Sequence, residues 1–298
     1  ANTKTLSLTD TGTIGLLAGT GTVSVASGET LTLSGTGTVP TAIGGAGNLA
    51  ISGTVTQTGT VSNSGTRTIA SGGTWKLGPA VMTYGVANAG TLEFNSAGTI
   101  GNGAVTGAGL ISINASGGTV VVDSSSSLGS TGGVTITDGT LQVTGANKLP
   151  SSGTVTVATS KTLDLDQSQS VASLAGAGTV DIASGMTLSL TDTGTIGVLA
   201  GAGTVDVANT KTLSLTDTGT IGLLAGTGTV SVATGETLTL SGTGTVPTAI
   251  GGAGNLAISG TVTQTGTVSN SGTRTIASGG TWKLGPAVMT YGVANAGT

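Results

Sequence analysis

The sequence predicts an all-β fold, namely a three-sided parallel β-solenoid made of short stacked strands. Three observations lead to this fold: the composition, a repeat on two length scales, and apolar residues that alternate with polar ones. In such a solenoid each coil places one strand on each of three faces, and neighbouring coils pair strand to strand. The 298 residues would then form about 13 coils of roughly 18–26 residues each.

The composition is that of short strands joined by glycine turns. The chain has 56 Gly and 5 Pro, 2% aromatic and 7% charged residues, and a formal net charge of −4. Its mean hydropathy of +0.37 argues against an intrinsically disordered chain, because disordered chains combine low hydrophobicity with high net charge. Abundant Val, Ile, Leu, Thr and Ser with regular Gly favour many short strands.

The same composition argues against several classes of function. With 8 Lys and Arg against 12 Asp and Glu there is no basic patch for nucleic acid. The sequence also contains no apolar run of about 18 residues, the length that a membrane-spanning helix needs. The absence of Cys and His excludes thiolate metal sites and histidine-based catalysis. We therefore expect no enzyme, and we assign no catalytic, cofactor-binding or metal-binding residue.

The longer repeat is a 207-residue unit. Residues 1–91 recur as 208–298, and the two stretches differ only at Ser27, which is Thr234 in the second. We call them the first copy and the second copy. Such near-identity indicates tandem duplication, with 1–207 as the first unit and 208–298 as a partial second unit. We expect residues 1–298 to form one continuous solenoid segment of a longer array.

The shorter repeat is a 25-residue unit. It is clearest as TVTVATSKTLDL from Thr154, TVDIASGMTLSL from Thr179, TVDVANTKTLSL from Thr204 and TVSVATGETLTL from Thr229. We expect each repeat to form one coil. Together with less regular coils elsewhere, the 207-residue unit then contains nine coils, with a mean length of about 23 residues. Stacked at ordinary strand spacing, nine coils would rise about 43 Å.

The apolar residues within a repeat fall into three groups separated by Gly-containing turns. In the repeat that begins at Thr179, the groups are Val180 with Ile182, Leu188 with Leu190, and Ile196 with Leu199. The first two groups alternate with period two, as half-buried strands do. A propeller is less favoured, because it needs antiparallel hairpins and two-residue hairpin signals such as Asn-Gly between strands do not recur.

A family resemblance lies between Gly132 and Val180. The stretch GGVTITDGTLQVTGANKLPSSGTVTVATSKTLDL is followed by SVASLAGAGTV. It resembles the autotransporter-associated β-strand repeat of bacterial passenger domains. The shared motifs are Gly-Gly-x-Thr-x-x-x-Gly-Thr-Leu, Leu-Pro before Gly-Thr-Val-Thr-Val, and a closing Ser-Leu-x-Gly-x-Gly-Thr-Val. Degenerate versions occur elsewhere in the chain, and the resemblance implies a right-handed β-helix outside a Gram-negative-type cell.

Two pairs of carboxylates recur at the spacing of the shorter repeat, namely Asp181 with Asp206 and Asp192 with Asp217. The two residues of each pair thus occupy the same position in neighbouring coils, where like charges stack directly and repel. We favour side chains that splay into water, with a weakly bound Ca²⁺ between them as the alternative.

Opposite charges also recur at this spacing, namely Lys211 with Glu236 and Lys4 with Glu29. Stacked in neighbouring coils, these pairs would form ion-pair ladders worth a few tenths of a kcal/mol each.

A second possible calcium motif is GGAGNLAIS at Gly44–Ser52. It resembles the Gly-rich nonapeptide of calcium β-rolls, but it has Asn48 at the position of the ligand Asp and it occurs once per unit. We favour a glycine turn.

The aromatic residues are few. Trp75 falls at a position equivalent to Leu163, so we expect it inside the solenoid, with an exposed sugar-stacking platform as the alternative. Tyr84 and Phe94 fall near coil corners, and their side chains could be either inside or outside.

The leading hypothesis for function is structural. We expect extracellular material, either the shaft of a giant bacterial surface adhesin or the substance of a filament or sheath, with further copies of itself as partners, end to end or side by side. The main alternative is a module that binds surface polysaccharide. Ice binding by the rows of Thr is a weaker alternative, because Asp, Lys and Glu interrupt those rows.

Overall fold

The computed structural model describes residues 4–78, 82, 84–285 and 292–298. Throughout this part of the chain the fold is all-β, without a helix, and its parallel strands stack as a β-solenoid of about 15 turns. The predicted fold class is therefore confirmed, with slightly more coils than the 13 expected. The chain divides into two compact units. The first unit comprises residues 1–142 and 148–153, and the second comprises residues 143–147 and 154–298.

The first unit contains strands β1 to β17, most of them three or four residues long. They are β1 (Thr5–Leu8), β2 (Gly12–Ile14), β3 (Thr22–Val25), β4 (Thr30–Leu33), β5 (Thr36–Val39), β6 (Ala42–Gly45), β7 (Asn48–Ile51), β8 (Thr54–Gln57), β9 (Arg67–Ile69), β10 (Thr74–Leu77), β11 (Val86–Asn88), β12 (Thr91–Phe94), β13 (Gly98–Thr99), β14 (Gly103–Thr106), β15 (Leu110–Val122), β16 (Ser126–Leu128) and β17 (Val134–Val143).

The second unit contains strands β18 to β38. They are β18 (Thr154–Val157), β19 (Thr162–Leu165), β20 (Gln169–Val171), β21 (Ser173–Ala175), β22 (Thr179–Ile182), β23 (Thr187–Leu190), β24 (Gly194–Ile196), β25 (Val198–Gly201), β26 (Thr204–Val207), β27 (Thr212–Leu215), β28 (Gly219–Ile221), β29 (Leu223–Ala225), β30 (Thr229–Val232), β31 (Thr237–Leu240), β32 (Thr243–Val246), β33 (Ala249–Gly252), β34 (Asn255–Ile258), β35 (Thr261–Gln264), β36 (Arg274–Ile276), β37 (Thr281–Leu284) and β38 (Ala294–Asn295).

Each strand pairs in parallel with strands one coil away, so every face is a ladder of short strands. In the first unit the longest complete ladder is β2-β4-β7-β9-β11-β14-β16. In the second unit the ladders include β20-β23-β26-β29, β24-β27-β30-β33 and β28-β31-β34-β36-β38. In the 25-residue repeats of the second unit a strand pairs with the third strand before or after it. Three faces follow, as predicted.

The coils are shorter than the sequence repeat. In the second unit, paired residues are 17 to 20 positions apart, as for Thr162 with Thr179 and Thr229 with Ala249. The first unit also contains a spacing of 23, between Gly103 and Ser126. The predicted mean coil length is therefore too long, because the 25-residue repeat is not one coil.

Each 25-residue repeat contains four strands, of which three complete one coil. In the repeat from Thr179, the third apolar group is split between β24 (Gly194–Ile196) and β25 (Val198–Gly201). The corner between these strands is Gly197, where an added Cβ would lie 2.4 Å from the carbonyl oxygen of Ala177. This corner thus consists of one glycine, whereas the other corners of the coil consist of several residues. Because a repeat has four strands and a coil has three, each repeat covers one and a third turns of the solenoid.

The core is a column of inward-facing Val, Leu and Ile. Along most strands buried residues alternate with half-buried ones, as in β19, β22 and β23. Fully burying one such side chain contributes about 1.5–3 kcal/mol. The handedness of the coil and the continuity of residues 1–298 as one solenoid remain predictions.

Candidate functional site

The carboxylates do not stack as the spacing of the shorter repeat predicted. Asp181 pairs with Asp164 in the preceding coil and with Ala200 in the following one. Asp206 lies on a different ladder, where it pairs with Ser189. The predicted Asp181–Asp206 stack is wrong, because one repeat advances by four strands and therefore shifts each residue to the next face.

The like-charge pair that does form joins Asp164 and Asp181 in neighbouring coils. Burial raises the pKa of Asp164 above its usual range, and the negative charges of Asp166 and Asp181 raise it further. Sequence reasoning overlooked Asp164, although the motif Thr-Leu-Asp-Leu identifies it once the coil length is known. In the described part of the chain, no three His, Cys, Asp or Glu side chains come together to hold a metal ion.

The predicted stack of Asp192 on Asp217 is also wrong. Asp192 instead forms an ion pair with Lys211, with 3.0 Å between Oδ1 and Nζ. The Lys211 hydrogen bond, followed by that of the Thr193 amide, lowers the pKa of Asp192. The amide of Asp217 donates to the carbonyl of Gly197, so it lies on another corner of the solenoid.

The two predicted ion-pair ladders do not form either. Glu236 accepts a hydrogen bond of 2.8 Å from the Thr218 hydroxyl, and Glu29 accepts one of the same length from Thr11. The carbonyl of Lys4 accepts from the amide of Thr22, which places Lys4 on a different row from Glu29. The ladders fail to form for the same reason as the carboxylate stacks: one repeat advances by four strands, so residues 25 positions apart lie on different faces.

A charged row does form on the outer face of the first unit. Lys76 pairs in register with Glu93, and their side chains are 3.0 Å apart between Nζ and Oε2. The other carboxylate oxygen of Glu93 accepts a 3.1 Å hydrogen bond from the amide of Asn114. Three strands are thereby linked across their outer face, and the sequence repeat gave no sign of this row.

The interior of one coil is polar. Gln57 and Asn63 are buried, and their amide nitrogens donate to the carbonyls of Thr41 and Gly47 at 3.0 and 2.9 Å. Their side-chain oxygens have no hydrogen-bond partner among the described residues. The second copy repeats this arrangement with Gln264 and Asn270. These amides join neighbouring coils through the core, and the alternation of apolar residues concealed them.

The same coil buries a cation. Arg67 is 4% exposed, and Nη2 donates to the carbonyl of Asn63. Its guanidinium carbon lies 4.4 Å from the ring centroid of Tyr84, a cation–π contact. Burial lowers the pKa of Arg67, partly offset by Tyr84. Arg274 in the second copy is buried with the same hydrogen bond, to Asn270.

The aromatic side chains are mostly internal. Trp75 is 2% exposed and pairs in register with Leu92, which confirms its predicted interior position. Phe94, for which both positions were open, is fully buried at the end of a strand, whereas Tyr84 is 44% exposed. A buried ring cannot stack on a sugar, so Trp75 and Phe94 offer no platform for polysaccharide.

The Gly44–Ser52 segment is structural. Gly45 has φ of +91° and ends a strand, and an added Cβ at Gly47 would lie 2.3 Å from the carbonyl of Ala26. The Asn48 amide donates to the Thr30 hydroxyl at 3.3 Å. The glycines therefore allow a tight corner between coils, in agreement with the expected glycine turn, and Asn48 links neighbouring coils.

The outer threonines form rows along the strand ladder. Thr36, Thr54, Thr74 and Thr91 pair in succession. The parallel row two residues along begins with Thr38 and Thr56 but continues with Lys76 and Glu93. The ion pair thus interrupts the flat hydroxyl array, as the sequence suggested.

Comparisons with known proteins gave no match, whether with family models, with curated proteins or with solved structures. The described residues include no helix long and apolar enough to cross a membrane.

Proposed function

We propose that this chain is structural material of an extracellular fibre, such as the shaft of a giant bacterial surface adhesin or a filament. The observation that carries the proposal is that the two copies fold alike. Strands at Thr30–Leu33, Asn48–Ile51 and Thr54–Gln57 recur at the corresponding positions of the second copy with the same bounds. A fold that repeats its contacts whenever its sequence repeats can be lengthened by duplication.

The interior of the solenoid supports the same proposal. Its coils contact mainly their neighbours, and the core is a column of Val, Leu and Ile with one polar coil per copy. In solenoids, stability is close to a sum of coil and interface contributions. Added units therefore extend such a protein without requiring a new fold or a new core.

The test is the length gained per unit. About 15 turns in 298 residues correspond to about 10 turns per 207-residue unit, or a rise of about 50 Å at ordinary strand spacing. This value replaces the rise expected from nine coils. Polypeptides with one, two and three units should differ by this constant increment in electron micrographs. Particles that become rounder, with no constant increment, would contradict the proposal.

A glycan array separates the structural role from the alternative of polysaccharide binding. The structural proposal expects no selective binding, and the burial of Trp75 and Phe94 supports that expectation. Selective binding that is lost in Tyr84→Ala would favour a surface-binding module instead, because Tyr84 is an exposed aromatic side chain.

The location outside the cell rests on the resemblance to bacterial passenger repeats. We propose further copies of this chain as its partners, because a fibre assembles from copies of its own subunit. Ice binding is tested separately by thermal hysteresis, and the interruption of the threonine rows by Lys76 and Glu93 argues against it.

A further inference from the structure

The sequence places glycine directly after asparagine at one position only, Asn102–Gly103. Asn102 is exposed in the bend between β13 (Gly98–Thr99) and β14 (Gly103–Thr106). Its side chain forms no hydrogen bond with any residue that the structure describes. An unbound carboxamide therefore lies beside the backbone nitrogen of a residue that has no side chain.

The fold requires glycine at position 103. An added Cβ there would lie 2.4 Å from the carbonyl carbon of Tyr84, which is a backbone atom of the preceding coil. Because glycine has no Cβ, it lets the two coils approach this closely. The same lack of a Cβ leaves the amide nitrogen of Gly103 unshielded from the side chain of Asn102.

The amide of Gly103 is also held loosely. It donates to the carbonyl of Ser125 with 3.4 Å between nitrogen and oxygen, which is longer than the usual range for such a bond. Six other asparagines are followed by amides that donate over 2.8 to 3.0 Å, namely those of Leu49, Ser64, Ala89, Leu256, Ser271 and Ala296. Those amides are held in the strand ladders, whereas the nitrogen of Gly103 is closer to being free to react.

We propose that Asn102–Gly103 is a site of spontaneous deamidation, at which the chain modifies itself without an enzyme. The backbone nitrogen of Gly103 attacks Cγ of Asn102 and forms a cyclic imide. The bond from Cγ to Nδ2 breaks, and the amide proton of Gly103 leaves with Nδ2 as ammonia. Water then opens the ring.

Two products follow, depending on which carbonyl carbon the water attacks. Attack at Cγ breaks the newly formed bond and gives aspartate on an unchanged backbone. Attack at the main-chain carbonyl carbon of residue 102 breaks the original peptide bond, and the backbone then runs through the side chain as isoaspartate. Either product replaces a neutral amide by a carboxylate, so the chain gains one negative charge.

Isoaspartate lengthens the backbone by one methylene directly before β14. This strand pairs with β11 (Val86–Asn88) on one side and β16 (Ser126–Leu128) on the other, and its Val105 is fully buried. Because the corner at Gly103 has no room even for a Cβ, the extra methylene should displace the start of the strand. In a one-dimensional stack such a disturbance affects mainly the coil concerned and its neighbours, so we expect local loosening.

The experiment follows the full chain during storage in mildly alkaline buffer, which favours loss of the amide proton. Mass spectrometry of proteolytic peptides should show a gain of about 1 Da at Asn102, the difference between a carboxamide and a carboxylic acid. The modified peptide should separate into two species in chromatography. Three exposed asparagines followed by residues with side chains serve as internal controls and should keep their mass, namely Asn114, Asn147 and Asn209.

The matched variant is Asn102→Gln, which keeps the carboxamide on a longer side chain that forms the corresponding ring far less readily. It should gain no mass at residue 102 under the same conditions. An unmodified Asn102 in the stored chain, or a faster gain at any of the three internal controls, would overturn the inference. A gain that occurs only in denaturant would overturn it too, because the folded corner would then protect the pair.

The effect on the backbone has a separate readout, hydrogen exchange at the amides of Val105 and Thr106. These amides should exchange faster in the isoaspartate species than in the fresh chain. Freshly prepared Asn102→Asp, which carries the same charge on a normal backbone, should exchange like the fresh chain. Equal exchange in the isoaspartate species and Asn102→Asp would show that the corner absorbs the methylene and would refute the expected loosening. Neither measurement depends on the proposed fibre.

Discussion

The first copy and the second copy differ at one residue, yet the first coil of the first copy differs in burial from the same residues of the second copy. The strand Thr5–Leu8 is mostly exposed, whereas Thr212–Leu215, which has the same sequence, alternates between half-buried and buried. Gly194–Ile196 pairs with the second of these strands. Among the described residues no strand pairs with the corresponding side of the first. The neighbouring coil, and not the residue itself, decides whether a leucine becomes part of the core.

The neighbour also decides whether a strand forms at all. Leu223–Ala225 is a strand because Thr204–Val207 pairs with it. The identical residues 16–18 are described without a strand. Short strands of this kind have too little intrinsic preference to persist without a partner.

Where both neighbours are present the two copies agree closely. Asn63 donates to Gly47, and Asn270 donates to Gly254, both at 2.9 Å. The comparison therefore separates two contributions to stability. The contacts within a coil provide one contribution to the free energy of unfolding, and the contacts between a coil and each neighbouring coil provide the other, as expected for a one-dimensional stack.

The largest expected effect is at the leucine that differs most between the copies. Leu213→Ala should lower the free energy of unfolding by about 2–5 kcal/mol, because it leaves a cavity in a packed core. Leu6→Ala, the matched control, should change it by less than about 0.5 kcal/mol, as at most exposed sites. Denaturant unfolding of the two variants measures both values. Equal losses would mean that the first coil is packed as tightly as the internal one.

A smaller effect is expected at the charged row. Lys76→Ala removes the ion pair with Glu93, whose side chain is largely buried, and should cost about 0.5–1 kcal/mol. Its copy Lys283 forms no ion pair with any residue that the structure describes, so Lys283→Ala should have almost no effect. Thermal unfolding at low and high salt checks this difference. A loss that is the same for both lysines, or that does not shrink with salt, would contradict the role of Glu93.

The strands themselves could be predicted from the sequence because period-two alternation is a local property. Val180 with Ile182 and Leu188 with Leu190 identify their strands directly. The coil length could not be predicted in this way, because the sequence repeat and the structural turn have different lengths. A single glycine, Gly197, makes a corner without a visible gap in the pattern.

The errors in the candidate site follow from that one misjudged length. The repeat predicts Asp181 beside Asp206 because both occupy the same position in it, whereas the shorter structural turn brings Asp164 beside Asp181. Arg67 was overlooked for another reason. It stands two residues before the buried Ile69, so the alternation places it inside, but a charged side chain is rarely buried without a partner.

The pH dependence of stability distinguishes like-charged from oppositely charged neighbours. Because the folded pKa of Asp164 is raised, its ionised form is penalised in the folded state at neutral pH. Asp164→Asn should therefore stabilise the protein at neutral pH by a few tenths of a kcal/mol, and this gain should disappear as the pH falls through the folded pKa.

Asp192 provides the contrast, because Lys211 lowers its pKa. Ionised Asp192 therefore contributes to the free energy of unfolding at pH values above its pKa in the unfolded chain. This contribution is lost as the pH falls through its lower pKa in the folded protein. Asp192→Asn should thus act in the opposite direction to Asp164→Asn. Melting temperatures between neutral and acid pH measure both variants, and curves of the same sign would show that the neighbouring charges do not govern these carboxylates.

The smallest effect is expected at the only position where the copies differ. Ser27 and Thr234 are both exposed in turns, each followed by a glycine with positive φ, +85° at Gly28 and +84° at Gly235. Ser27→Thr, which makes the copies identical, should change the free energy of unfolding by less than about 0.5 kcal/mol. Denaturant unfolding beside the unsubstituted chain measures this change. If the change is that small, Ser27 cannot account for the stability difference between Leu6→Ala and Leu213→Ala, and the neighbouring coil must cause it.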